Sequence, residues 1–114
     1  MQLIFDRKIA DDLKEKYTIV ELENIHANGQ NLEVFCVLSQ ESMIWEMQNI
    51  EATIKLHEQL VDAISMDNTE FCLALIPELK GKFGGELDSF YEIVETRCRD
   101  TGTTKYSLPK QEKE

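Results

Sequence analysis

A stripe of apolar residues between positions 39 and 66 constrains the fold more than any other feature. Its members recur at alternating spacings of four and three residues, which is the period of one helix face and not of a strand. They are Met43, Met47, Ile50, Ile54, His57, Val61 and Ile64. Read as one helix of about twenty-six residues, the segment extends roughly 39 Å. This exceeds the width of a small domain core, so we expect one end to protrude or to carry a partner.

The opposite face of this predicted helix is acidic. Its charged residues are Glu41, Glu46, Glu51, Glu58, Asp62 and a single base, Lys55. Residues 17–79 hold eleven acids and one base, and the two flanking segments are balanced, so this block carries the whole net charge of −10. A field of one sign repels nucleic acid and anionic membranes and speeds encounter with a basic protein. We therefore expect a basic protein partner, with no nucleic acid and no membrane. The alternative is that the acidity only keeps the protein soluble.

The first 38 residues predict a small sheet. Residues 2–5 form a short apolar run, Asp6 suits the N-cap of a helix over residues 7–16, and residues 17–25 and 31–38 are rich in β-branched and aromatic side chains. Between the last two runs stands Asn28-Gly29, a strong signal for a type I′ hairpin turn. We expect an α+β fold that opens with a βαββ sheet, with the second hairpin strand in the middle.

The turn also predicts a register for the hairpin. Pairing Ala27 with Gln30 places Leu22 opposite Phe35 and Val20 opposite Val37. Because side chains two apart on a strand share a face, this register predicts one core face. It consists of Val20, Leu22, Phe35 and Val37. The first hairpin strand would then carry Glu21 and Glu23 near an exposed edge.

Two further helices follow the long one. Asp67 and Glu70 have the spacing of a capping box that starts a helix, and residues 86–100 form an amphipathic helix that Gly102 can end. Between them, Phe83 lies in a glycine-rich loop and either is exposed at its tip or enters the core. We expect residues 1–102 to form a single compact domain and residues 103–114 to form a flexible tail.

No motif for catalysis, metal or cofactor binding is present. His57-Glu58 begins like the helical motif of zinc proteases, but Val61 occupies the position of the required second histidine. The only other histidine is His26, so no metal site is predicted. His57 lies in the apolar stripe, which favours a core histidine with its hydrogen bonds satisfied. We predict no catalytic residue, no cofactor and no enzymatic activity.

The three cysteines indicate a reducing compartment. Cys36, Cys72 and Cys98 are odd in number, widely separated and surrounded by apolar neighbours, so we expect buried thiols and no disulfide framework. The chain has no basic segment leading into an apolar run at its start, and no apolar stretch approaches the ~20 residues that span a bilayer. A cytoplasmic location is predicted.

In its composition, a small, strongly acidic chain without catalytic motifs, the protein resembles bacterial immunity proteins and antitoxins. The resemblance implies a non-enzymatic inhibitor that neutralises a basic toxin of the nuclease type. The candidate contact residues are Glu21, Glu23 and Glu33 on the hairpin and Glu46, Glu51, Glu58 and Asp62 on the long helix. One alternative is a phage-type nucleic-acid mimic or anti-defence inhibitor. Another is a structural or adaptor protein that forms a homodimer through the long helix.

Overall fold

In the computed structural model, which describes residues 2–27 and 29–104, an antiparallel sheet near the N-terminus is followed by helices. The elements are β1 (Gln2–Ile4), α1 (Arg7–Leu13), β2 (Ile19–Ala27), β3 (Gln30–Val37), α2 (Gln40–Trp45), α3 (Ile50–Ser65), α4 (Thr69–Leu79), a 3₁₀ turn (Lys82–Gly85) and α5 (Asp88–Thr101). The three strands lie in the order β1-β3-β2, so the second hairpin strand is central. The predicted α+β fold and βαββ arrangement are confirmed.

The hairpin follows the predicted register only near its turn. Pairing runs from Ala27 with Gln30 to Glu23 with Val34, as expected. A bulge at Leu22 then shifts the register by one residue, so that Glu21 pairs with Phe35. The predicted pairs of Leu22 with Phe35 and of Val20 with Val37 are therefore wrong. Asn28 lies outside the described residues, and Gly29 has the positive φ of 74° that the turn requires.

The bulge decides which face of β3 enters the main core. That core includes Val20 and Leu22 of β2 together with Val34, Cys36 and Leu38. Phe35 points to the other face, where it packs with Ile4 of β1 and Ala10 of α1. The predicted core face is thus wrong for β3. Because β3 is apolar on both sides, its sequence does not distinguish the two faces, and the one-residue shift selects between them.

The predicted long central helix is present as α3, but its predicted extent is wrong, because the segment 39–66 forms two helices. Residues 46–49 separate α2 from α3 although they contain neither glycine nor proline. At the break, the carboxylate of Glu46 accepts hydrogen bonds from Thr53 Oγ1 and from the backbone N–H of Phe83, both at 3.0 Å. With 16 residues, α3 is about 24 Å long. The break is therefore stabilised in part by a contact with the 3₁₀ turn, at a residue 37 positions from Glu46 in the sequence.

Most of the α3 part of the apolar stripe packs against the core, whereas Met47, at the break, is 68% exposed. His57, Leu60 and Ile64 on the inner face of α3 are buried and pack with the sheet, α4 and α5. Phe83 is also fully buried, which decides between the two predicted placements of its side chain. It reaches the core through a left-handed backbone conformation at φ 55°, an uncommon one for a residue with a bulky side chain.

The start of α4 differs from the predicted capping box. Asn68 is the N-cap, with its side chain accepting a hydrogen bond of 3.1 Å from the N–H of Phe71. Asp67 instead adopts φ 56°, and its carboxylate accepts a hydrogen bond of 2.8 Å from the N–H of Thr104. Thr104 is fully buried and donates to the carbonyl of Ile64 at 2.6 Å. The first two residues of the predicted tail are thus described, and residues 105–114 lie outside the described part.

Candidate protein-binding surface

Two of the candidate acids on the hairpin face α1. Arg7 donates to Glu33 Oε2 from Nη2 at 2.7 Å and from Nε at 2.9 Å, and its Nη2 lies 3.8 Å from Glu21 Oε2. The guanidinium lies over the Phe35 ring, 5.1 Å from its centroid. The hydrogen bond from Arg7 holds the pKa of Glu33 below its usual value. Glu33 and Glu21 therefore balance a base of the chain itself.

The third hairpin acid binds the C-terminal helix. Arg97 of α5 donates from Nη1 to Glu23 Oε1 at 2.8 Å, and both side chains are only 11% exposed. The same Nη1 donates to the carbonyl of Thr104 at 3.0 Å. A pair so shielded from water is costly to break by removing one partner, because the other charge stays behind without compensation. Glu23 is therefore a link between the sheet and α5.

A fourth candidate, Glu46, accepts the hydrogen bonds at the break described above. A similar internal role belongs to Glu86, which the sequence does not single out. Glu86 accepts hydrogen bonds from the N–H and hydroxyl of Ser39 at 3.1 and 3.0 Å, and another from Ser42 Oγ. Burial by itself would raise the pKa of Glu86, but the hydrogen bonds from Ser42 and Ser39 outweigh it and lower the pKa. Ser39 signals a helix N-cap, yet nothing in the sequence indicates its partner 47 residues away.

The remaining three candidates lie on the outer face of α3. Glu51, Glu58 and Asp62 are exposed, at helical spacings of seven and four residues. Two exposed acids of α4, Glu70 and Glu78, continue the same charge. Among the residues that the structure describes, none of these five carboxylates forms an ion pair. We call Glu51, Glu58 and Asp62 the α3 acidic face.

A pocket of about 280 Å³ opens beside the α3 acidic face. It lies between α1, the first residues of β2, and α3. Its lining combines apolar with charged side chains, among them Arg7, Lys14, Ile19, Glu58, Val61 and Asp62. The pocket is the concave part of this surface. It brings together residues that are distant in sequence, such as Lys14 and Glu58, which are about 44 positions apart.

His57 is held inside the protein. Its Nε2 lies 2.7 Å from the carbonyl oxygen of Glu21, which can only accept, so Nε2 carries the proton. Its Nδ1 then accepts a hydrogen bond of 2.9 Å from the Tyr91 hydroxyl. Burial lowers the pKa of His57, which favours the neutral ring. The prediction of a core histidine with satisfied hydrogen bonds is confirmed, and both ring nitrogens are used.

The thiols are buried as well. Cys36, Cys72 and Cys98 are all free. Burial raises the pKa of Cys36 to about 11 and that of Cys72 to about 12, and it also raises the pKa of Cys98. Because the thiolate is the nucleophile, such thiols are poorly reactive at neutral pH.

Within residues 2–27 and 29–104, no helix combines the length and the apolar character needed to cross a bilayer. The same residues contain no group of three or more His, Cys, Asp or Glu side chains arranged to hold a metal ion. No protein-family model, curated protein or solved structure matches this chain.

Proposed function

We propose that the protein is a non-enzymatic inhibitor of the immunity-protein or antitoxin type, which binds a basic, nuclease-type toxin domain through the α3 acidic face. One observation carries the proposal: four of the seven candidate acids are engaged inside the chain, whereas Glu51, Glu58 and Asp62 are exposed and form no ion pair within the described residues. Carboxylates without an internal partner are the ones that can bind a partner's bases.

The mechanism of such an inhibitor is electrostatic. A nuclease holds phosphate groups with Lys and Arg side chains, and a row of carboxylates on a rigid helix can occupy the same positions. The negative field of residues 17–79 would also speed the encounter of the two proteins. Both effects weaken as salt is added, since the Debye length falls from about 10 Å at 0.1 M salt to about 3 Å at 1 M.

Two further features support this proposal. The three thiols are free and buried, which fits the reducing cytoplasm in which an inhibitor would protect the cell that makes it. On α3, the stripe residues that offered a seam for a homodimer pack against the core, except for Val61, which lines the pocket. Self-association through that stripe would require the core to open, so we do not propose it.

The test is capture of a partner by the tagged full chain. Lysate of the source cells is applied at low salt, eluted with rising salt and analysed by mass spectrometry. We expect one basic protein, released by salt. The variant Glu51→Lys/Glu58→Lys/Asp62→Lys should lose this protein and keep its fold.

A matched control carries the same change of six charge units elsewhere. It is Asp12→Lys/Glu92→Lys/Asp100→Lys, at three exposed positions on α1 and α5. Capture that is lost equally in both variants would reflect net charge alone and would contradict a contact at the α3 acidic face. Recovery of many unrelated nucleic-acid-binding proteins would replace the inhibitor with a nucleic-acid mimic.

A further inference from the structure

The pocket beside the α3 acidic face has the size of a site for one side chain. Its volume of about 280 Å³ lies just under the range of ~300–1,000 Å³ that is typical of small-molecule and cofactor sites. It is bounded by α1, β2 and α3, so it belongs to the folded body of the chain. A single extended side chain fits this volume better than a cofactor does.

The walls of the pocket are partly apolar. Ile19 and Val61 are half-buried, and Val20 and Phe35 behind them are buried. Such a lining favours an occupant with an aliphatic stem. Lysine and arginine have that stem and place their charge at its end.

The charges around the pocket favour a cation. Glu58 and Asp62 lie one helical turn apart at its rim, and neither forms an ion pair within the described residues. The two bases of the rim are already bound, Arg7 by Glu33 at 2.7 Å and Lys14 by Asp11 at 3.5 Å. The lining thus holds three carboxylates, Glu21, Glu58 and Asp62, and two bases. Because both bases also pair with carboxylates outside the lining, they do not neutralise Glu58 and Asp62. An anionic occupant is disfavoured.

We propose that this pocket binds one arginine side chain of the basic partner, an inference that rests on the proposed function. Arginine is favoured over lysine because its planar guanidinium has five N–H donors and can satisfy two carboxylates at once. Arg7 provides an example inside the same pocket, where a guanidinium lies over an aromatic ring and donates to Glu33. In the complex, Glu58 and Asp62 accept hydrogen bonds from the partner's guanidinium while its methylene groups contact Ile19 and Val61.

The test uses the full chain labelled with ¹⁵N and two small probes, Nα-acetyl-arginine amide and Nα-acetyl-lysine amide. Each is titrated at low salt while backbone amide shifts are recorded. We expect saturable shifts concentrated at residues 19–21 and 58–62, with the lysine probe weaker. Glu58→Gln/Asp62→Asn should weaken the arginine probe about fivefold or more, as expected for the loss of two exposed ion pairs.

Two variants separate the pocket from general charge. Glu70→Gln/Glu78→Gln removes the same charge from exposed positions of α4 outside the pocket and should leave binding of the arginine probe unchanged. Val61→Phe fills the pocket without changing any charge and should abolish the local shifts. The amide spectra report whether each variant is folded, and the carboxylate variant remains a test if Val61→Phe is not.

The outcomes distinguish the pocket from the function. Shifts spread evenly over α3 and α4, or unaffected by Glu58→Gln/Asp62→Asn, would overturn the pocket, and capture of a basic protein by the α3 acidic face would still stand. Saturable binding of arginine at residues 19–21 and 58–62, together with no basic protein captured, would retain a guanidinium site and overturn the inhibitor function.

Discussion

The hairpin and the outer face of α3 both carry acidic residues, but those of the hairpin bind bases of the chain and those of α3 are exposed. On the hairpin, Glu33 binds Arg7 and Glu23 binds Arg97, so each carboxylate joins the sheet to a helix from one end of the chain. On α3, Glu58 and Asp62 project away from the core and bind no base within the described residues. The number of acidic residues therefore does not measure the negative charge that is available to a partner. Carboxylates that bind internal bases contribute to folding, and the others set the external field.

The largest effect on stability is expected from a charge placed on the inner face of α3. His57→Asp places a carboxylate on the inner face, where His57 is fully buried. An unpaired buried charge is strongly disfavoured, and we expect a loss of about 4 kcal/mol or more in the free energy of unfolding, which approaches the whole stability of a small domain. Urea denaturation followed by circular dichroism measures it. A stable, folded variant would contradict the placement of His57 in the core.

The second prediction concerns the hairpin side of the comparison. Arg97→Met leaves the shielded carboxylate of Glu23 without its base, and we expect a loss of about 3 kcal/mol in the free energy of unfolding. Arg99→Met is the matched control, because Arg99 is 64% exposed and pairs with Glu95 on the same helix. Its expected loss is under about 0.5 kcal/mol. Equal losses in the two variants, measured by urea denaturation, would refute a structural role for the Glu23–Arg97 pair.

The third prediction is a dependence on pH that originates at His57, on the inner face of α3. The pKa of His57 in the folded chain lies below its unfolded value, so the unfolded chain takes up the proton first as pH falls. Its contribution to stability is fully present above a pH of about 6.5 and is lost below it, by up to about 1.4 kcal/mol between pH 7.5 and 5.5. Denaturation curves of the wild type and of His57→Gln at both pH values isolate this contribution, because other titrating groups cancel in the difference. Parallel losses in the two proteins would show that His57 does not titrate in this way.

The smallest effect is expected on the α3 acidic face. Glu58→Gln/Asp62→Asn removes two exposed carboxylates that have no ion-pair partner in the described part of the chain. The free energy of unfolding should change by less than about 0.5 kcal/mol in either direction. Urea denaturation beside Arg97→Met makes the contrast direct. A loss comparable to that of Arg97→Met would mean that these acids stabilise the fold and would weaken their assignment to a partner.

Features that depend on neighbouring residues could be predicted from the sequence. The Asn28-Gly29 turn gave the hairpin and its register as far as Glu23 with Val34. The apolar periodicity gave α3 and the burial of His57, and Gly102 gave the end of α5, where its φ is 74°. Each of these follows from the chemistry of a turn, a cap or one helix face.

The failures share a different cause. The bulge at Leu22 and the break before α3 have no glycine or proline to indicate them, and the N-cap of α4 is Asn68 and not the predicted Asp67. In the candidate site, four of the seven acids turned out to be engaged inside the chain. Their partners are remote: Arg7 is 26 residues from Glu33, and Arg97 is 74 residues from Glu23.

The sequence alone thus determined the class of fold, the identity of its main elements and the acidic character of its middle, because periodicity, turn residues and charge are properties of the chain itself. Only the tertiary structure decided which face of β3 enters the core, where the helix after Ser39 breaks and which acids remain free for a partner. Each of these depends on the free energy of contacts between distant residues, such as Glu46 with Phe83 or Glu23 with Arg97, which form only when the whole chain has packed.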